Sequence, residues 1–484
     1  MADYLEDVYD ENEYMYDLLY DADETTARRY ESSEWIDTYE NCVIPSLQQV
    51  LKFLIQFVIV NMLFCMGSKL QARFVPSHCS ITHLLSLGCG LYLLSETVEY
   101  GFWYLFQLFL SSYFLFKISH IGERWLRFEF VISAYCILFL IICEIFESDL
   151  KLWHHIRGIL MIAVMKIISL ALDMKSKHHI KEQFGILSFL GYICSPANCI
   201  FGPWTSFSEY LNCIAKANKY FKFDISYTAQ IVLNMACSAL SMLLANCAYT
   251  LLISDYSWKW VAAYGAALSF RTSQYFVSFL SQATMVSAGH VISGSKSTKS
   301  RQAQLFGYIV TSPWNIELPR SLVHVVVAWN VPTHEFLKQY VFRILKPYGP
   351  FLAVFLTYVV SSILHGLNFQ LWATLLTIGI WSYVEYNLRR KLADIFSACV
   401  AVKKCPVPCK KHSKSKNTLF SMTVNFLFSL LCVINLAYLG TVFDASSQLQ
   451  AEGFSLTEAF GKWKNLGYVS HWLLLLGALI NVVI

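Results

Sequence analysis

From Pro347 to Val384 the chain runs for 38 residues without a single Asp, Glu, Lys or Arg. A helix needs about 20 apolar residues to cross a bilayer, so this interval holds two crossings. Eight more charge-free intervals follow the same pattern, at 53–68, 74–95, 100–116, 183–208, 225–254, 272–295, 417–443 and 465–484. Further apolar stretches lie near 130–147, 156–173 and 259–285. Only 14% of the residues are charged and 56% are apolar, against about 25% charged in an average soluble domain. Such a chain has lipid as its main solvent. The expected fold is all-α and polytopic, with about ten to twelve transmembrane or re-entrant helices.

Charge is distributed unevenly. Residues 1–40 hold fourteen acids and two bases, a net charge of −12, while the remainder carries +16. Residues 1–45 therefore read as an acidic, disordered tail ahead of a multi-pass domain at 46–484. The tail lacks the basic start and apolar core of a secretory signal, so the first apolar run is expected to be an uncleaved anchor. Bases gather in Ser293–Arg301 and in Asn387–Asn417, where nine stand against the one acid Asp394. Loops of that kind stay cytosolic. Arg343 and Lys346 precede the 38-residue interval and Arg389–Lys391 follow it, which makes it a hairpin. Its turn falls at Leu364–Asn368, which sets His365 towards the opposite, lumenal face. The basic loops lack interleaved aromatics, so membrane lipid headgroups are the expected contact and nucleic acid is not.

His365 titrates within an interval free of other charge. Ionisable groups at membrane depth commonly serve function, and a neutral imidazole takes a proton from a hydroxyl at neutral pH. A structural histidine bonded at a helix turn gives the same pattern, and His83 and His471 also lie in charge-free intervals. Asn330, in Trp329-Asn330-Val331-Pro332, has an amide able to donate to a carbonyl or developing oxyanion; a helix cap is the plainer reading. Arg271, with Tyr275 four residues on, suits an anionic substrate group or a buried pair with Glu96 or Glu99. Fifteen cysteines at irregular spacing give no disulfide framework; most read as small core hydrophobes. Cys399, Cys405, Cys409 and His412 cluster in the basic loop. Their spacing departs from a zinc knuckle, and reduced or lipid-modified cysteines with no metal are expected. The phosphate-loop, dinucleotide and His-Glu-x-x-His signatures are absent.

Several segments together resemble the membrane-bound O-acyltransferases. They are Trp314-Asn315-Ile316-Glu317-Leu318-Pro319-Arg320-Ser321, Trp329-Asn330-Val331-Pro332, Phe336-Leu337-Lys338-Gln339-Tyr340, and Ser361-Ser362-Ile363-Leu364-His365-Gly366. Supporting matches include Phe201-Gly202-Pro203-Trp204, Phe270-Arg271 with Tyr275, and Ser470-His471-Trp472. The resemblance covers roughly residues 46–484. It implies helices around an internal acyl tunnel and a protein-serine O-acyltransferase of the endoplasmic reticulum membrane. It further implies palmitoleoyl-coenzyme A as co-substrate, with no other cofactor, and a Wnt protein as acceptor. His365 is then the general base and Asn330 positions the donor. Trp329, Tyr358 and Ser361 are expected to line the tunnel, since they neighbour Asn330 or precede His365 by one or two helical turns; Arg271 and Tyr275 join them as substrate contacts. A lipid O-acyltransferase and, further off, a multi-pass transporter are the alternatives.

Overall fold

The computed structural model describes residues 36, 38–75, 79–98, 101–121, 128–147, 149–217, 224–247, 258–290, 301–406, 409–415, 417–443 and 456–484. Of the expected tail, residues 1–35 and 37 lie outside them, as does most of the Ser293–Arg301 loop. The described residues form helices and no named strand, as the charge-free intervals require. We number the principal helices α1 (Ile44–Phe74), α2 (Cys79–Thr97), α3 (Phe102–Ile121), α4 (Phe128–Phe146), α5 (Leu150–Ser176), α6 (Ile186–Ile193), α7 (Phe207–Ala217), α8 (Ile225–Asn246) and α9 (Lys259–Ser287). They continue as α10 (Pro313–Glu317), α11 (Leu322–Trp329), α12 (Val331–Leu337), α13 (Pro350–His365), α14 (Phe369–Ile395), α15 (Leu419–Gly440), α16 (Leu456–Asn465) and α17 (Val469–Val483).

Among the described residues, five stretches, built on α1, α4, α5, α8 and α15, are long and apolar enough to cross a membrane. A sixth is counted if α16 and α17, bent by 75°, make one span. α3 and α13 hold shorter apolar stretches. α9 and α14 are 29 and 27 residues long, but bury polar side chains such as Arg271, Gln282, Glu385 and Arg389. Their lower hydropathy reflects helices enclosed by protein rather than lipid.

Local sequence sets the helix ends. Asp224, Ser321, Asn330, Asn368 and Thr418 each accept a backbone N–H from the first turn that follows, which relieves the unpaired donors there. Pro332 and Pro350 sit in first turns, where a missing N–H costs nothing. The expected hairpin forms: α13 and α14 pack together and turn at Gly366-Leu367-Asn368. α5 is the central helix. Its Lys166 is fully buried, and Nζ donates to the carbonyls of Tyr192 and Ile193 and to Asn198 Oδ1, at 3.1, 3.0 and 2.7 Å. The ammonium thereby finds the carbonyl-rich end of α6.

One expectation is overturned. Cys42 and Cys247 form a disulfide, because the start of α1 and the end of α8 meet; Ser46 and Asn246 also hydrogen-bond there, at 3.1 Å. Irregular spacing hid a pair 205 residues apart. The other expectation for cysteine holds, with Cys65, Cys136, Cys194, Cys199 and Cys432 free and buried.

The packing defines two faces. α1 and α2 run antiparallel, with Phe57 beside Leu93 and Thr82 donating to Gln71, so the end of α2 shares the disulfide face. The start of α3 follows, and Tyr104 donates to Glu147 just past α4. The α4–α5 junction and the α13–α14 turn thus lie on the disulfide face too. α15 returns to that face at Tyr438–Val442, which packs with Ala263 near the start of α9. The 22-residue helix is about 33 Å long, so its first residue, Leu419, lies on the opposite face, beside the 397–417 loop.

Candidate active site

His365 is the last residue of α13. The turn after it is tightly built. Gly366 has φ +98° and ψ −173°, a region open essentially to glycine alone. A Cβ there would meet Arg157 Cζ at 2.5 Å and Glu144 Oε1 at 2.7 Å. The Gly366 carbonyl accepts from Trp372 Nε1 at 2.7 Å, and the Leu367 N–H donates to Glu144 Oε1 at 2.9 Å. Glu144 in turn faces Arg157 Nη1 at 3.8 Å, both largely buried. Glu144, Arg157 and Trp372 hold this turn, and sequence patterns do not single them out. Glu144 and Arg157 mark two short charge interruptions, which is the one signal that could have found them.

Three histidines looked alike in sequence, and the structure separates them. His83 Nδ1 lies 3.0 Å from the Tyr210 hydroxyl, and His471 Nδ1 lies 2.9 Å from that of Tyr438. Both rings are tethered, as structural histidines are. The partly exposed His365 ring hydrogen-bonds to none of the described residues, so its lone pair stays available to a substrate proton.

Asn330 joins α11 to α12. Its Oδ1 accepts the Thr333 N–H at 3.1 Å, the expected cap, while its Nδ2 donates to none of the described residues. Capping therefore fixes the amide and leaves its donor edge free. The backbone around it is clamped: Val331 N–H donates to Val310 O, and Ser312 N–H to Ala328 O, at 2.8 and 2.9 Å. Gln282 Oε1 accepts the N–H groups of Val310 and Thr311, and its Nε2 donates to Asn234 Oδ1. These buried amides on α9 and α8 also escaped the sequence reading, since neutral polar residues leave no gap in an apolar run.

No hydrogen bond joins Asn330 to His365. Phe336, on the helix that Asn330 caps, and Leu364, the residue before His365, belong to one buried cluster with Tyr340, Trp204 and α5. Trp204 sits edge-on to Phe336 and Tyr340 at 5.4 and 5.7 Å, which joins two of the quoted segments, and Leu364 in the same cluster adds a third.

Arg271 and Tyr275 take a different place from the one expected. Arg271 Nε and Nη2 grip Glu317 at 2.8 and 2.9 Å, and the Tyr275 hydroxyl donates to the same carboxylate at 2.6 Å. The buried pair forms with Glu317, not Glu96, which is exposed; Glu99 lies outside the described residues. The pair holds the Trp314–Arg320 segment instead of presenting a free guanidinium fork. Trp329 lies 6.4 Å from the rings of both Phe270 and Tyr275, still adjacent to Asn330. Tyr358 packs on Gly379 of α14, whose Cβ would stand 2.7 Å from the ring; it tightens the hairpin. Ser361 is buried one turn before His365. A cavity of about 790 Å³ between α1 and α2, lined by Ile59, Leu63, Leu85 and Tyr92, includes none of these residues.

The chain belongs to the membrane-bound O-acyltransferase family, whose sequence profile matches residues 75–396; it is an acyltransferase embedded in a membrane by several helices. It is similar along nearly its full length to the protein-serine O-palmitoleoyltransferase porcupine of Anopheles gambiae, 39% identical over 96% of this chain and 97% of that one. The protein of the same description from Homo sapiens is 30% identical over 90% of this chain and 94% of its own length. Lysophospholipid acyltransferase 2 of Arabidopsis thaliana is 21% identical over 66% of this chain.

Proposed function

We propose that this chain transfers palmitoleate from palmitoleoyl-coenzyme A to a serine hydroxyl of a Wnt protein in the endoplasmic reticulum membrane. Similarity to the serine O-palmitoleoyltransferases over nearly the whole chain supports the reaction, and exceeds similarity to the lysophospholipid enzyme. The observation that carries the mechanism is the contrast between the tethered His83 and His471 and the His365 ring, which hydrogen-bonds to none of the described residues.

The serine hydroxyl is a weak nucleophile. The His365 imidazole takes its proton as the oxygen attacks the thioester carbonyl, a contribution of about 10²–10⁴ in rate. Asn330 Nδ2 donates to the carbonyl oxygen as negative charge gathers there. The C–S bond then breaks, and coenzyme A leaves as the thiol with the proton His365 had taken. This direct transfer needs a base, a positioned donor and a bound acyl chain, and no metal or acyl-enzyme. The donor arrives from the cytosolic face and the acceptor from the lumenal one, which suits a base at the disulfide face.

Purified protein is incubated with labelled palmitoleoyl-coenzyme A and either a Wnt serine peptide or a lysophospholipid. Label on the peptide serine is the expected product. Label on the lipid alone, with the peptide unmodified, assigns the chain to lipid acylation instead.

A further inference from the structure

Four potential metal ligands converge in the loop that joins α14 to α15. Cys399 is buried, 1% exposed, and Cys405, Cys409 and His412 are partly so. His412 Nδ1 lies 3.8 Å from Cys399 Sγ, 3.4 Å from Cys405 Sγ and 3.5 Å from Cys409 Sγ. The four ligand atoms all fall within 4.8 Å of one another. One imidazole nitrogen has a single lone pair, so it can accept from only one of the three thiols crowded on it. A cation at the centre satisfies all four.

The spacing identifies the ion's size and geometry. Metal–sulfur bonds of about 2.3 Å and a metal–nitrogen bond of about 2.0–2.1 Å at tetrahedral angles put sulfur about 3.6 Å from nitrogen, the range found here. Three thiolates with one imidazole and no carboxylate form a soft, four-donor set, which selects zinc over magnesium or calcium. We propose that Cys399, Cys405, Cys409 and His412 bind one structural Zn²⁺.

Charge and compartment agree. Three thiolates and Zn²⁺ sum to −1, which suits a loop carrying Lys403, Lys404, Lys410, Lys411 and Lys414. The loop lies on the face opposite the Cys42–Cys247 disulfide. One face is therefore oxidising, and on the other free thiols persist to bind metal.

The site has a mechanical role in the fold. Between α14 and α15 regular pairing is confined, among the described residues, to the bridge of Ala398 with Lys414. Arg320 Nη2 donates to the carbonyls of Cys399 and Ala401 at 3.3 and 3.0 Å, and Asn425 Nδ2 to Cys399 O at 3.2 Å. Arg389 ties Asn425 to the Arg320 carbonyl. The metal thus fixes Cys399, and Cys399 fixes the end of the segment whose Glu317 is gripped by Arg271. With all four positions filled by protein, the ion has no open site for substrate.

The full chain, purified in detergent without chelator, is assayed for metal by mass spectrometry, and its native thiols are alkylated with and without a zinc chelator. One zinc per chain is expected, with Cys399, Cys405 and Cys409 protected until chelator is added. His412→Gln should lower zinc occupancy at least tenfold. Less than a tenth of an equivalent of zinc in the wild-type protein overturns the site. So does alkylation of these cysteines at the same rate with and without chelator, or their recovery as fatty-acyl thioesters. The wild-type measurements stand even if the variant fails to fold.

Discussion

Replacing Gly366 by alanine adds one methyl group beside the proposed base without touching its ring. The native backbone sits where an L-residue pays about 1–3 kcal/mol in strain. The new Cβ also falls 2.5 Å from Arg157 Cζ and 2.7 Å from Glu144 Oε1. The guanidinium can swing aside, but the carboxylate must also move, and it holds the Leu367 N–H. Losing that charge-assisted bond costs about 1.5–3 kcal/mol. Relief comes most readily by unwinding the turn, which carries His365 away from the reacting hydroxyl. Gly366→Ala should therefore lower transfer by about 10²-fold or more, equivalent to about 3 kcal/mol of barrier. Binding of a non-reactive thioether analogue of the acyl donor should stay within a few-fold of wild type, because the Asn330 clamp lies on other helices. Both are measured on the same detergent-purified sample, with thermal unfolding as the check on folding. A folded Gly366→Ala protein with near wild-type transfer would show that the turn does not position the base.

His365→Ala should lower peptide acylation by about 10² or more with donor binding intact; a folded variant acylating at the wild-type rate removes His365 from the mechanism. Asn330→Asp keeps a capping oxygen but loses the Nδ2 donor, so turnover should drop with little change in melting temperature, and Asn330→Ala should in addition lose about 1 kcal/mol of stability. Glu317→Ala strands the buried Arg271 guanidinium, and should destabilise the protein by about 3 kcal/mol, read as a lowered thermal midpoint; an unchanged midpoint would mean the pair is not load-carrying in solution. Palmitoleoyl-coenzyme A should outcompete palmitoyl-coenzyme A, since a cis double bond pre-forms a bend that a saturated chain adopts at a conformational cost; equal use of both counts against a shaped acyl site.

The hairpin of α13 and α14, and the place of His365 at its turn, could be read from an uncharged run with bases at both ends. That pattern reflects solvent, and lipid imposes it residue by residue. Asn330 as a cap was equally plain from its flanking Pro and Thr. Partners separated widely in the chain were not legible. Arg271 was given the wrong acid, since nothing local distinguishes Glu317 from Glu96; Cys42 and Cys247 were separated by most of the bundle. Gln282, Asn234 and Trp372 leave no mark on hydropathy, yet they hold the backbone at the two central residues. The spacing and positive charge of the 397–417 loop speak for reduced or lipid-modified cysteines, and neither shows that the loop folds back between two helices and brings Cys399, Cys405, Cys409 and His412 within 4.8 Å of one another.

The disulfide also counts crossings. Cys42 and Cys247 can be bonded only if both reach the same side of the membrane, so the chain between them must traverse it an even number of times. Among the described residues, α1 to α5 alternate in direction and α8 returns to the disulfide face; α1, α4, α5 and α8 are long and apolar enough to span, and α2 and α3 lie between them as shorter or less apolar partners. α6 and α7, with 8 and 11 residues, are about 12 and 16 Å long, too short to add another crossing. The chain that leaves the end of α5 must then reach the start of α8 on the same side; since Ser281 of α9 donates to the Gly202 carbonyl and Trp204 Nε1 donates to Ser169 of α5, Phe201-Gly202-Pro203-Trp204 is part of a re-entrant excursion and not of a span.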